Sequence, residues 1–148
     1  MKWLVDTNVI SENVRPDPDR RVLNWIAARA GDQLAISILT IAELRAGVAT
    51  LNNAARQRSF EAWMSAYMLP NFQDRTLPVT LDILIDWLNL SRLLDAKGGR
   101  RPAVDLLIAA TARVHNLTVV TRNVRDFANT GVVVYDPWSG ETHVMDAP

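Results

Sequence analysis

Five short apolar runs punctuate the chain: Lys2–Val5, Gln33–Ile38, Thr76–Val79, Leu117–Val120 and Val132–Tyr135. The stretches between them, Val22–Ala30, Ile41–Leu51, Ser59–Leu69, Leu81–Leu94 and Ala103–Val114, carry apolar residues at helical spacing. Strands alternating with helices predict a parallel sheet covered on both faces. The unbroken apolar run Val132-Val133-Val134 suits a strand buried on both sides. Pro78 lies inside the third run, and proline lacks the N–H a central strand needs, so that run is expected at an edge. The connection Arg122–Thr130 is short for a parallel crossover and should hold only a turn or two of helix. In Leu81–Leu94 the pattern assigns Leu81, Leu84, Ile85 and Leu88 to the buried side and Asp82, Asp86 and Asn89 to a wet stripe.

With 148 residues, one domain is expected. A chain of this length buries enough surface to stand alone. No apolar run reaches the ~18 residues of a membrane span, and the apolar part of the start, Trp3-Leu4-Val5, is too short for a signal peptide. The absence of cysteine excludes disulfides and thiolate metal sites, and it fits a cytoplasmic location. Net charge is zero, so nucleic acid would have to be held locally and not by bulk electrostatics. Arginine greatly outnumbers lysine among the 16 basic residues. That suits forked contacts to phosphate, but it equally suits a GC-rich genome.

Most of the acidic residues read as solvated or turn-forming charges, Asp17, Asp19, Asp32 and Asp95 among them. Four are different. Asp6 ends the first strand, Glu43 follows the second, Asp105 sits in an otherwise apolar helix, and Asp126 follows the fourth strand. Each also has a structural explanation. Asp6 suits a helix cap. Thr40-x-x-Glu43 matches a capping box. Asp105, just past Pro102, can answer a helix dipole. Asp126 can be a plain loop residue. In an open parallel sheet, ligands bind beyond the carboxyl ends of strands where the strand order reverses. Asp6 and Asp126 fall at such ends, Glu43 a few residues beyond one. Four carboxylates brought together would repel one another unless divalent cations occupied the site. Oxygen ligands without Cys or His point to Mg²⁺ or Mn²⁺, not zinc. His115 and His143 lie outside these motifs.

The stretches "LVDTNVISE", "ISILTIAELRAG", "RPAVDLLIAATARVHNLTVVTRNVRDF" and "GVVVYDPW" together resemble the PIN-domain ribonucleases, in particular the FitB-like branch of the VapC toxins. They cover the chain almost to Trp138. The resemblance implies a three-layer α/β/α fold with a five-stranded parallel sheet in order 3-2-1-4-5. It implies an acidic quartet of Asp6, Glu43, Asp105 and Asp126 holding one or two Mg²⁺ (or Mn²⁺) ions, with Thr7, Thr121 and Asn123 in support. It implies hydrolysis of RNA phosphodiesters. Arg45, Arg100, Arg101, Arg122 and Arg125 lie near the motifs and are candidates for holding flanking phosphates. The implied partners are a cognate DNA-binding antitoxin of the VapB/FitA kind, RNA and a second copy of the chain. Trp63, Tyr67 and Met68 are candidates for antitoxin or dimer contact, or for core packing.

Two rivals are enzymatic in form. A haloacid dehalogenase-type phosphatase wants Asp-x-Asp after the first strand, where this chain has Asp6-Thr7-Asn8. A receiver domain wants paired acids near the first strand and a late Lys, but Lys97 precedes the fourth strand. The third rival is an inactive PIN scaffold that only binds antitoxin or RNA, against which the intact quartet argues.

Overall fold

The computed structural model describes residues 1–29 and 31–148. Ala30, the end of the expected helix Val22–Ala30, lies outside the described residues.

The sheet is built from β1 (Trp3–Val5), β2 (Leu34–Ser37), β3 (Thr76–Leu77), β4 (Thr118–Val120), β5 (Val133–Asp136) and β6 (Glu141–Val144). Its order is β3-β2-β1-β4-β5-β6. The first five strands are parallel and follow the expected 3-2-1-4-5 order. β3 is an edge strand, with Pro78 just beyond it. The expected five strands become six, because β6 pairs antiparallel with β5, setting His143 against Val134 and Glu141 against Asp136. The hairpin turn passes through Gly140 at φ +78°, a conformation that residues with a side chain rarely adopt. The sequence pattern concealed β6 because its residues are polar or exposed.

Helices α1 (Thr7–Ile10), α2 (Arg20–Ala27), α3 (Ile38–Ala49), α4 (Ala54–Trp63) and α5 (Leu69–Phe72) precede β3; α6 (Leu81–Ala96) and α7 (Ala103–His115) follow it. The expected helix Ser59–Leu69 is interrupted. Met64–Met68 forms a π-helical stretch between α4 and α5. The connection after β4 holds a single 3₁₀ turn, Val124–Phe127, as its length requires.

Alternate residues of each inner strand feed two separate cores, because side chains on a strand point to opposite faces. Leu4, Ala35 and Val119 join Ile83, Leu90, Ile108 and Ala109 under α6 and α7. Val5, Ile36 and Val120 join Val9, Trp25, Leu44, Met64 and Met68 under α1 to α5. The result is three layers, helices either side of the sheet. Trp3, Trp25 and Tyr135 pack ring to ring at 5.3–5.7 Å, fastening α2 across β1 and β5.

The helix α6 corrects one expectation. Leu81, Leu84, Ile85 and Leu88 face solvent, while Ile83, Leu90 and Leu94 are buried and Trp87 packs with them. Asp86, assigned to the wet stripe, instead receives the Arg113 guanidinium of α7 at 2.8 Å, and Arg113 also donates to the Thr130 carbonyl. The helix has two apolar faces, and periodicity cannot say which of them its neighbours cover. Glu12, which the sequence left among the solvated charges, is 3% exposed and accepts the Asp19 amide at 2.8 Å.

Candidate active site

The strand order reverses between β1 and β4, and Asp6 and Thr121 stand at the carboxyl ends of these two strands. β1 is held to β4 up to Asp6, whose amide donates to the Val120 carbonyl at 2.9 Å. The chain then turns at once into α1, and Asp6 caps it, accepting the Thr7 amide at 2.8 Å. The capping explanation is therefore correct as far as it goes. It uses only one carboxylate oxygen. The other accepts the Thr121 hydroxyl at 2.8 Å, across the gap to the end of β4.

Thr121 is wholly buried and is the junction of the site. Its oxygen also receives the Asn8 side-chain amide and the Asn123 backbone amide, each at 3.1 Å. Asn8 in turn accepts the Arg122 amide at 3.3 Å. Asn8 was not singled out in the sequence, although it lies inside the first motif. Asn123 serves through its backbone, and its side chain is exposed.

Glu43 projects from the second turn of α3. The capping box that Thr40-x-x-Glu43 matches does not form, because α3 starts earlier, with Ser37 accepting the Leu39 amide. Glu43 instead accepts the Thr7 hydroxyl at 2.7 Å. This links the second acid to the residue following the first.

Asp105 is the third residue of α7, whose start at Pro102 has no side-chain cap. It is half-buried, and its pKa is pushed up to about 6, first by burial and then by the charges of Asp6, Asp126 and Glu43. Burial likewise raises the pKa of Asp6, with Glu43 and Asp126 adding repulsion, against the lowering effect of the Thr121 and Thr7 hydrogen bonds. Asp126 stands in the 3₁₀ turn after β4, anchored by fully buried Phe127. The four acids thus share one electrostatic field, though they come from four separate segments. Among the described residues, no three His, Cys, Asp or Glu side chains are already drawn together as an ion cage.

The donor chemistry nevertheless suits a hard divalent ion. All the available atoms are carboxylate or hydroxyl oxygens, and burial, followed by mutual repulsion, raises the pKa of Asp6 and Asp105. Asp6, Glu43, Asp105 and Asp126 are the side chains here that could hold such an ion.

The arginines separate into two groups. Arg122 and Arg125 border a cavity of about 700 Å³ together with Asn123, Asp126, Asp136, Ser139, Glu141 and His143. The Arg122 guanidinium lies over the Trp138 ring at 5.2 Å. His143 reaches this cavity only because β6 exists, so no reading of the motifs could place it there. The remaining three lie elsewhere. Arg45 borders a crevice with Glu61 and Met64, Arg100 approaches Asp95 at 3.9 Å, and Arg101 lines a pocket with Trp87 and Leu106.

A cavity of about 830 Å³ lies away from the acids and is bordered by Arg15, Leu51, Arg56, Phe60 and Trp63. Of the three α4-region candidates, Met68 is fully buried in the core, Trp63 is half-buried against it, and Tyr67 is 47% exposed.

The PIN domain family profile matches residues 3–133, and the chain belongs to that family. It is 37% identical to Toxin FitB of Neisseria gonorrhoeae (strain ATCC 700825 / FA 1090) over 135 residues, 91% of this chain and 97% of that one. It is 36% identical to VapC ribonuclease Y4jK of Sinorhizobium fredii (strain NBRC 101917 / NGR234), again over 135 residues, covering 91% and 96%. Among solved structures, FitAB bound to the IR36 DNA fragment superposes with a TM-score of 0.88 at 36% identity, covering 95% of this chain and 99% of that one.

Proposed function

We propose that this protein is the toxin of a toxin–antitoxin pair and acts as a metal-dependent endoribonuclease on RNA phosphodiester bonds. The observation that supports the reading is the hydrogen-bonded geometry about Asp6, whose carboxylate is held by Thr7 and Thr121 while the Thr7 hydroxyl holds Glu43, with the charges of Asp6, Asp126 and Glu43 bearing on Asp105. A structural acid at a helix start has no need of three other carboxylates. The relatives named toxin and ribonuclease supply the reaction class.

A divalent ion held by these acids would make a bound water acidic enough to attack at neutral pH and would neutralise charge developing on the phosphate. The chain's own residues prepare the site. Thr121 and the Thr7 amide fix the Asp6 carboxylate in one orientation. The Thr7 hydroxyl holds Glu43 toward the same site. Arg122 and Arg125 line a cavity with Asp126, which supports a role for them in gripping phosphates beside the scissile bond.

The antitoxin is proposed to lay an apolar, acidic segment in the groove bordered by Phe60, Trp63, Arg15 and Arg56. A DNA-binding partner fits the solved FitAB structure, which holds DNA. Among the described residues no helix is long and apolar enough to cross a membrane, and a cytoplasmic site of action is proposed.

The test is cleavage of an RNA pool with Mg²⁺ or Mn²⁺, against EDTA and against Asp105→Asn. Cleavage that needs the ion and is lost in the variant is expected. Normal Mn²⁺ binding with no cleavage of any RNA would instead establish a binding scaffold.

A further inference from the structure

Charges of both signs line the cavity at the β4–β6 end of the sheet without pairing. Arg122, Arg125, Asp126 and Asp136 all border it. Among the described residues, none of them makes an ion pair. Asp136 stands directly opposite Glu141 across the β5–β6 ladder. Like charges so placed destabilise a hairpin, so stability does not account for them. Asp136 is also fixed in direction, because one of its oxygens accepts the Trp138 amide at 2.8 Å. Glu141 has a neighbour in His143 at 3.7 Å, which leaves Asp136 as the available carboxylate.

We infer that this cavity selects a guanine base of single-stranded RNA, with Asp136 reading the N1–H and N2–H groups of the base. The inference rests on the reading of the chain as a ribonuclease. The β5–β6 wall of the cavity, where Asp136 faces Glu141, repels phosphate but accepts a neutral ring that carries N–H groups. Among the RNA bases, guanine alone presents two adjacent N–H donors on its Watson–Crick edge. They match the two oxygens of one carboxylate. Cytosine and adenine offer a single amino group beside acceptors, and uracil a single N–H between two carbonyls. The Asp136 oxygen that holds the Trp138 amide keeps a second lone pair for this contact.

The rest of the lining agrees. Guanine O6 and N7 are favoured acceptors for arginine, and Arg125 supplies such a donor in the same cavity. The Arg122 guanidinium lies over the Trp138 ring at 5.2 Å, and the residue is otherwise exposed. Bases splayed out of a single strand stack on guanidinium planes of this kind. Stacking uses the face of the guanidinium and leaves its N–H edge for a phosphate. Asp126 borders this cavity and also acts on the charge of Asp105, so a base entering here belongs to a nucleotide beside the acids.

Fluorescence anisotropy of labelled oligouridines, each carrying one G, A, C or inosine, titrated with Asp105→Asn protein at low ionic strength tests it. The G strand should bind about tenfold more tightly than the A or C strand, the scale of one bidentate base contact. Inosine, which keeps N1–H and O6 but lacks the 2-amino group, should fall between them. Adding Asp136→Asn should erase the preference, while affinity for plain oligouridine holds or rises. The asparagine still accepts the Trp138 amide but offers a single acceptor oxygen. Equal binding of all the strands to the Asp105→Asn protein would overturn the guanine inference and leave the ribonuclease reading standing. So would a preference for G that survives Asp136→Asn with unchanged circular dichroism. Failure of every strand to bind would overturn both.

Discussion

The Thr121 hydroxyl donates to the buried carboxylate of Asp6 at 2.8 Å, joining residues 115 apart in sequence. The bond closes the carboxyl ends of β1 and β4 over each other, at the point where the strand order reverses. A carboxylate buried this deeply is costly unless its oxygens are satisfied. Here each oxygen has one donor, which leaves lone pairs free to face a cation.

Thr121→Val removes that donor while keeping the side chain's shape. The Asp6 carboxylate, one hydrogen bond poorer, should lose about 1–3 kcal/mol of stability. For a domain of this size that is a fall in Tm of roughly 2–12 °C. Thr121→Ser retains the hydroxyl and should recover most of the loss. Calorimetry of the two variants compares them directly, and Mn²⁺ affinity should follow the same order.

Asp105 predicts an unusual pH dependence. Its folded pKa is raised from 3.8 to about 6, so the unfolded chain gives up the proton first. The folded state binds more protons between these values, and the contribution of Asp105 to stability therefore falls as pH rises from about 4 to about 6. Its partial exposure screens the effect to on the order of 1 kcal/mol. Thermal melts in EDTA across this range should show the slope, and Asp105→Asn should flatten it. The same variant should be at least as stable as wild type at pH 7 while losing RNA cleavage.

Metal binding should reverse that penalty. Mn²⁺ that binds only the folded state stabilises it by about 2.7 kcal/mol at a hundred times its dissociation constant. Wild-type Tm should rise with added Mn²⁺ and return with EDTA. Asp6→Asn and Asp105→Asn should show a much smaller rise, whereas Asp82→Asn, on the exposed part of α6, should behave as wild type.

The fold was largely legible because its strands are short, apolar and separated by clear helical patterns. Pro78 placed β3 at the edge correctly, and the short Arg122–Thr130 connection was expected to hold a turn or two of helix, of which one forms. Asp105 stood out in the sequence as the one acidic residue of a largely apolar helix. The partners of the acids were not legible, because hydrogen bonds such as Thr7 to Glu43 join segments distant in sequence. Two errors share a physical origin. Leu84 and Leu88 were assigned to the core, and β6 was not seen, because amphipathic pattern reports polarity and not which neighbour covers a surface. The capping-box alternative for Thr40-x-x-Glu43 fails for another reason. A stronger cap, Ser37, lies three residues upstream of Thr40 and starts the helix first.

The arginines give the sharpest separation between sequence proximity and structural proximity. Arg45 stands two residues from Glu43, yet its crevice is bordered by Glu61 and Met64, between α3 and α4. Arg125 stands next to Asp126 and shares a cavity with it, and Arg122 enters the same cavity from its position over Trp138. A side chain that neutralises one phosphate contributes about 0.7 to the salt slope of single-strand binding. Arg122→Ala and Arg125→Ala should each lower RNA affinity and reduce that slope by about this amount. The measurement uses catalytically silent Asp105→Asn protein, so that the RNA survives titration. Arg45→Ala in the same background should leave both affinity and slope unchanged. If Arg45→Ala weakened binding as much as Arg125→Ala, RNA would have to run along α3 instead of over the β4–β6 end of the sheet.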